Sequence, residues 1–110
     1  MTDAELRDLD AWIAEQVMGF KLNANGMIET WPREGVRHDL CVANYTTDPA
    51  AAMQVLEKCA DEVHAYELQI VSPRNGGLWH ISSGKRNTPR VNAETLPIAI
   101  CRFAQQLFSK

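Results

Sequence analysis

Apolar residues recur at helical spacing in three parts of the chain. Near its start, Thr2 and Glu5 form a capping box ahead of the first such stripe. That stripe consists of Leu6, Leu9, Ile13 and Val17. Gly19 follows where the end of a helix favours a left-handed residue. The pattern predicts a helix over Thr2–Met18.

Two further helices are predicted. Asp48 can cap the second, with Pro49 at its first position, and the helix should run to about Glu62. Its buried face is predicted to consist of Ala52, Met53, Leu56, Cys59, Ala60 and Val63. The third, Thr95–Lys110, is the most apolar segment, with a stripe of Ile100, Phe103, Ala104 and Leu107. A helix this apolar must be covered on much of its circumference, so we expect it to be the central cover of a small sheet.

The apolar period changes to two after the second helix. Alternation over Ala65–Val71 and over Leu78–Ser82 predicts two strands, and the turn residues of Pro73–Gly77 lie between them. Arg90–Ala93 can add a third short strand before the last helix. These segments predict an antiparallel meander.

A weaker strand signal separates the first two helices. Asn23–Gly26 predicts a hairpin turn, with Met27–Trp31 as the return strand. Asp39–Asn44 is either a short strand or the approach to the second helix. Helices on both faces of the meander would bury the apolar stripes best. We therefore expect one domain, residues 1–110, with an α+β fold: a three-layer α/β/α sandwich on a small antiparallel sheet of three or more strands.

The composition fits one globular domain in a reducing compartment. The 110 residues are 45% hydrophobic and 23% charged, with a net charge of −3. The polar, acidic start of the chain is not expected to be a signal peptide, and no apolar run is long enough to span a membrane. Cys41, Cys59 and Cys101 form no CxxC pair and are expected to be free, buried thiols. We expect a cytoplasmic protein without a cofactor or a metal site.

Charge is unevenly distributed along the chain. The segment from Leu68 to Ala93 has four basic residues and no Asp or Glu, whereas the rest has 7 basic and 14 acidic residues. Its cations can bind phosphate, and an aromatic ring can stack on a base. The predicted ligand or partner site consists of Arg74, Trp79, Lys85, Arg86 and Arg90, with Trp31 and Arg33 as candidate additions.

Each of these features has a structural alternative. The basic residues can be solvated loop charges that protect a sheet edge from aggregation, and core packing is the commoner role of a tryptophan. His38, His64 and His80 lie in different predicted elements and form no cluster in the sequence. Ser82–Lys85 lacks the complete phosphate-loop pattern, and no nucleophile motif is present. The sequence therefore contains no catalytic motif.

Three separated blocks resemble the phage ABA sandwich domain proteins, which are small proteins of phages and prophages. The blocks are Leu9–Phe20, Tyr45–Ala52 with the helix that follows, and Leu96–Ala104. The resemblance implies an α–β–α layered fold and a phage or prophage origin, but no catalytic residue. The chain differs from the family pattern in a longer Asn23–Val42 segment and in a more basic Gly84–Arg90 loop.

The resemblance and the missing catalytic motif lead to a first functional hypothesis. We expect a non-enzymatic phage accessory protein that acts in the host cytoplasm by binding. An anti-defence role would follow from inhibiting a host protein or from sequestering a small anionic, nucleotide-like signal. Nucleic acid and membranes are not expected as partners. The alternative is a structural, homo-oligomeric phage protein without a ligand, and a third possibility is an enzyme that uses His38 or His80.

Overall fold

The computed structural model describes residues 2–24, 26–28, 40–63, 68–73, 77–83 and 89–109. In chain order, the helices and strands are α1 (Asp3–Gln16), α2 (Pro49–Glu62), β1 (Leu68–Val71), β2 (Trp79–Ser83), β3 (Val91–Ala93) and α3 (Leu96–Phe108). The predicted α+β sandwich of three helices and a three-stranded antiparallel sheet is confirmed.

Each helix begins at a side-chain cap that the sequence predicted or allowed. The Thr2 hydroxyl accepts a hydrogen bond from the Glu5 amide (3.2 Å), and Asp48 Oδ1 accepts one from the Ala50 amide (3.0 Å). Thr95 caps α3 in the same way. These bonds satisfy amides that have no partner within the helix. At the end of α1, Gly19 adopts a φ of 78°, which favours glycine, as predicted.

The sheet has the order β1-β2-β3, and both strand pairs are antiparallel. Ile81 in β2 lies opposite Ile70 in β1 and Val91 in β3. Because side chains alternate along a strand, these residues share one face, together with Trp79 and Ala93. The opposite face consists of Gln69, Val71, His80, Ser82 and Asn92.

Helix α3 connects the sheet to the other two helices. It packs against β2 and β3 and also contacts α1 and α2. Phe103 and Ile100 of α3, Ile13 of α1, Val55 of α2 and Ile81 of β2 are all almost fully buried. The prediction that the last helix is the central cover of the sheet is therefore confirmed.

The buried face of α2 differs from the predicted one. Met53 is 48% exposed and Ala60 is also exposed, whereas Ala51 and Val55 are buried. The contact stripe runs along Ala52, Val55 and Cys59, with the predicted Leu56 half-buried beside it. Met53 and Ala60 each lie one position from this stripe, which is about 100° around the helix, and therefore face outwards.

The segment after α1 contains the predicted hairpin turn. The Asn23 side chain accepts a hydrogen bond from the Met27 amide (3.1 Å), and Gly26 has a φ of 74°. Leu22 then pairs with Ile28, and Ile28 pairs with Leu40, as isolated antiparallel bridges. Residues 29–39, which hold most of the predicted return strand, lie outside the described ranges.

The cysteines do not all behave as predicted. Cys59 and Cys101 are free and buried, and burial raises the pKa of each thiol to about 12. Cys41 is free but exposed, because it follows the bridge at Leu40 in an irregular segment rather than lying on a packed helix face. No helix in the described ranges combines the length and the apolar character that crossing a membrane requires.

Candidate functional site

Two of the seven predicted site residues lie within the described ranges, Trp79 and Arg90. Trp79 begins β2 opposite Ala93 and packs, half-buried, against the core. Its ring therefore has a structural role, with part of its surface still accessible. The predicted residues outside the described ranges are Trp31, Arg33, Arg74, Lys85 and Arg86.

Arg90 is exposed and immediately precedes β3. Continuing the register of Ile81 with Val91 places Arg90 across from Ser82. Trp79 lies three residues back along β2, a distance of about 10 Å along the strand. Trp79 and Arg90 thus lie towards opposite ends of the strand rather than at one point.

A polar cluster that the sequence did not indicate spans β2, β3 and α3. The register places His80 beside Asn92, and His80 Nδ1 lies 2.7 Å from Asn92 Oδ1. With the amide in this orientation, Oδ1 can only accept, so Nδ1 is the donor. The histidine is therefore oriented by an amide rather than by a carboxylate, which is the partner that an acid–base pair would need.

Arg102 joins this cluster from α3. One of its guanidinium nitrogens donates to the Asn92 carbonyl oxygen at 3.2 Å. This bond ties α3 to β3 and leaves other guanidinium N–H donors without a hydrogen-bond partner among the residues that the structure describes. Arg102 is half-buried, so a ligand that met these donors would be partly shielded from water.

A pocket of about 200 Å³ lies beside Arg102. The residues that line it are Leu78, Asn92, Ala93, Glu94, Ile98 and Arg102, of which Arg102 is a cation and Glu94 a carboxylate. Arginine binds carboxylate or phosphate oxygens through paired donors, and Glu94 can accept from a hydroxyl. The pocket can therefore hold an anionic group that has a hydroxyl nearby.

Asp10 is a buried polar residue that the sequence did not indicate. Its Oδ1 accepts a hydrogen bond from the Thr46 amide at 2.8 Å. Burial raises the pKa of Asp10 above its ordinary value of 3.8, and hydrogen bonds from Thr46 and from the Tyr45 amide oppose this only in part. The Thr46 hydroxyl also lowers the pKa, yet its contact falls outside hydrogen-bond geometry, so the amide is the main link. Asp10 thus ties α1 to the turn before α2.

The described residues include no group of three or more His, Cys, Asp or Glu side chains placed to bind a metal ion. His38 and His64 lie outside the described ranges, so the predicted absence of a histidine cluster remains a prediction.

Comparison with known proteins identifies the family. The family model of the phage ABA sandwich domain matches residues 11–104. The chain belongs to the phage ABA sandwich domain family. The resemblance of the three sequence blocks is therefore confirmed over most of the chain.

A solved structure is similar to this phage ABA sandwich domain along its whole length. It is the crystal structure of a phage protein from Bacillus cereus ATCC 14579, with 25% identity and a TM-score of 0.69. The match covers 100% of this chain and 97% of that chain. No curated protein sequence matches. The comparisons thus support a phage protein of this domain family and name no activity.

The sequence of this phage ABA sandwich domain gives only a weak signal for the residues of the polar cluster. Arg102 is a charged residue within the most apolar helix, which is a weak signal because amphipathic helices commonly carry charge on their outer face. Asn92 gave no such signal, because a polar residue in a short strand usually faces water. Both acquire their roles from the register of β3 and from the position of α3, which are tertiary features.

Proposed function

We propose that this phage ABA sandwich protein is a non-enzymatic accessory protein that acts by binding in the host cytoplasm. Its anti-defence role would be to sequester a small anionic signal of the host. Inhibition of a host defence protein is the other route by which binding could protect the phage. The pocket beside Arg102 supports the first route, because it is a concave site rather than a broad surface.

Arg102 is the observation on which the proposal depends. Its hydrogen bond to the Asn92 carbonyl orients the side chain, and no residue in the described ranges takes the other donors of the same guanidinium group. A positioned, half-buried arginine binds an anion more strongly than an exposed one, because less conformational freedom is lost and water competes less.

The size and charge of the pocket limit the ligand. A volume of about 200 Å³ is below the roughly 300 Å³ at which drug-sized sites begin, so the pocket would hold one part of a nucleotide-like molecule. Glu94 repels a second negative charge on its side. The favoured ligand has its phosphate or carboxylate at Arg102 and hydroxyl donors at Glu94, as a ribose phosphate has.

The basic residues predicted from the sequence would extend this site. Arg74, Lys85, Arg86 and Arg90 belong to the segment without acidic residues, and they would attract an anion towards the sheet. Trp31 and Arg33 stay candidate contacts of the same partner. Replacing Arg86 and Arg90 with Glu should abolish binding without unfolding the protein, so retained binding would remove both from the site.

Isothermal titration with a panel of nucleoside monophosphates and diphosphates tests the proposal directly. Arg102→Gln should weaken binding at least about tenfold, since charge-assisted hydrogen bonds contribute about 1.5–3 kcal/mol. Arg7→Gln is the matched control, because Arg7 is exposed on α1 and outside this pocket. Equal affinities of the two variants would refute the site, and a protein that binds no member of the panel would refute the ligand class.

A further inference from the structure

The two edges of the sheet are protected very differently. At β3, Arg102 donates to the Asn92 carbonyl. At β1, the strand Leu68–Val71 contains no charged residue, and no other strand in the described part of the chain pairs with its outer side. Natural proteins usually block an open edge with charge, proline or a covering segment. Glu67 precedes β1 and Pro73 follows it by two residues, but Leu68–Val71 itself contains no charged residue or proline, and no covering strand lies among the described residues.

The apolar side chains of β1 are also unusually accessible. Ile70 is 38% exposed although it lies on the face that bears the core, and Val71 is 53% exposed on the other face. The extensive contacts of α3 are with β2 and β3, so Ile70 extends past the helix that covers its neighbours. Two large aliphatic side chains, Ile70 and Val71, therefore lie at an edge whose outer side pairs with no strand in the described part of the chain.

We infer that β1 is a self-association edge, at which two copies of the chain pair antiparallel to form a continuous six-stranded sheet. A second copy fits the edge for a reason of charge. Leu68–Val71 is neutral, so the two strands would meet without the like-charge repulsion that a charged edge would cause. The inference is independent of the anion site at the other edge of the sheet.

Symmetry restricts the register of this pair. In an antiparallel pair related by a two-fold axis normal to the sheet, residues directly opposite each other must lie on the same face. Two registers satisfy this condition and keep three residues of each strand paired. One places Gln69 opposite its own copy, and the other places Ile70 opposite its own copy. In both, Ile70 meets an apolar residue of the second copy, either Leu68 or Ile70.

The length of β1 sets the expected strength. Four residues per copy bury less surface than the roughly 1,200 Å² at which stable interfaces begin. We therefore expect a reversible dimer with a dissociation constant in the micromolar range or weaker. Sedimentation equilibrium from about 10 μM to about 1 mM covers this range.

Lysine substitution tests the edge. Ile70→Lys should raise the dimer dissociation constant at least about tenfold, because in either register it brings two like charges into the short pair and replaces an apolar contact. Met53→Lys is the matched control, since Met53 is a similarly exposed apolar residue on α2. Circular dichroism of both variants shows whether each remains folded. A wild-type chain that stays monomeric throughout the range, or a control that dissociates equally, would overturn the inference.

Cross-linking tests the geometry without a destabilising charge. In a Cys41→Ser background, Gln69→Cys or Ile70→Cys should form an intermolecular disulfide, because opposite Cα atoms lie about 4.5–5.5 Å apart. One of the two variants should dominate and thereby identify the register. Met53→Cys gives the background level from random collision. If neither edge variant exceeds that level, the edge does not pair with its own copy.

Discussion

Replacing Asp10 tests whether one buried carboxylate fixes the turn between α1 and α2. Its Oδ1 accepts from the Thr46 amide at 2.8 Å, and Asp10 itself is buried. Asp10→Ala removes the acceptor and leaves a buried amide without a partner, which costs about 1–3 kcal/mol. Taking about 2 kcal/mol, the melting temperature of a domain of this size should fall by about 8 °C.

Asp10→Asn separates hydrogen bonding from charge. The amide oxygen of Asn can still accept from Thr46, and the desolvation that raises the pKa of Asp10 no longer applies. This variant should therefore lie within about 1 kcal/mol of wild type in urea unfolding. If the Ala and Asn variants lost equal stability, or if the Ala variant lost less than about 0.5 kcal/mol, the anchoring role of this bond would be refuted.

The raised pKa of Asp10 predicts that the free energy of unfolding depends on pH. Because the folded-state pKa of Asp10 is raised above 3.8, the folded state binds the proton more tightly than the unfolded state. The contribution of Asp10 to stability is therefore greatest below pH 3.8 and is lost as the pH rises through the folded-state pKa. Asp10→Asn should flatten this part of the curve of unfolding free energy against pH. If the slope of this curve were the same in Asp10→Asn and in the wild type, the raised pKa of Asp10 would be contradicted.

Two further predictions follow from burial. In the native protein, a maleimide reagent should label only Cys41, because Cys59 and Cys101 are buried and the pKa of each of these two thiols is raised to about 12. If Cys59 or Cys101 of the native protein reacted as fast as it does in urea, this prediction would be wrong. Phe103→Ala should lower the free energy of unfolding in urea by about 3–5 kcal/mol, because Phe103 is fully buried. Met53→Ala should lower it by less than about 0.5 kcal/mol, because Met53 is exposed. Equal losses of stability in the two variants would contradict this packing.

The helices and strands could be predicted because their signals are local. Thr2, Asp48 and Thr95 each cap a helix whose first amides lie within three residues of the cap. The alternation around Ile81 likewise reflects the pleat of a single strand. Such features depend on residues that are close in the sequence, so they can be predicted without knowing the tertiary structure.

The orientation of α2 could not be predicted in the same way. Its sequence is apolar over so many positions that two overlapping stripes are possible, one through Val55 and one through Met53 and Ala60. Packing against α3 buries the stripe that contains Val55. Contact with a neighbouring helix determines which stripe is buried, and the local sequence pattern does not indicate that contact.

The polar sites depend on still more distant partners. Asp10 acquires its role from Thr46, which lies 36 residues further along the chain. Arg102 meets the Asn92 carbonyl only because the β2–β3 register and the start of α3 bring the helix back over the strand. The sequence shows only a charge in an apolar helix, and the partner of Arg102 depends on the fold.

The position of α3 accounts for both edges of the sheet. Because the helix packs over β2 and β3, it carries Arg102 to the Asn92 carbonyl and blocks that edge with a positive charge. The same placement leaves Ile70 of β1, at the other edge of the sheet, partly uncovered. One packing choice therefore accounts for both the edge beside the proposed anion site and the β1 edge at which we infer self-association. A ligand variant such as Arg102→Gln should leave self-association unchanged, and Ile70→Lys should leave anion binding unchanged.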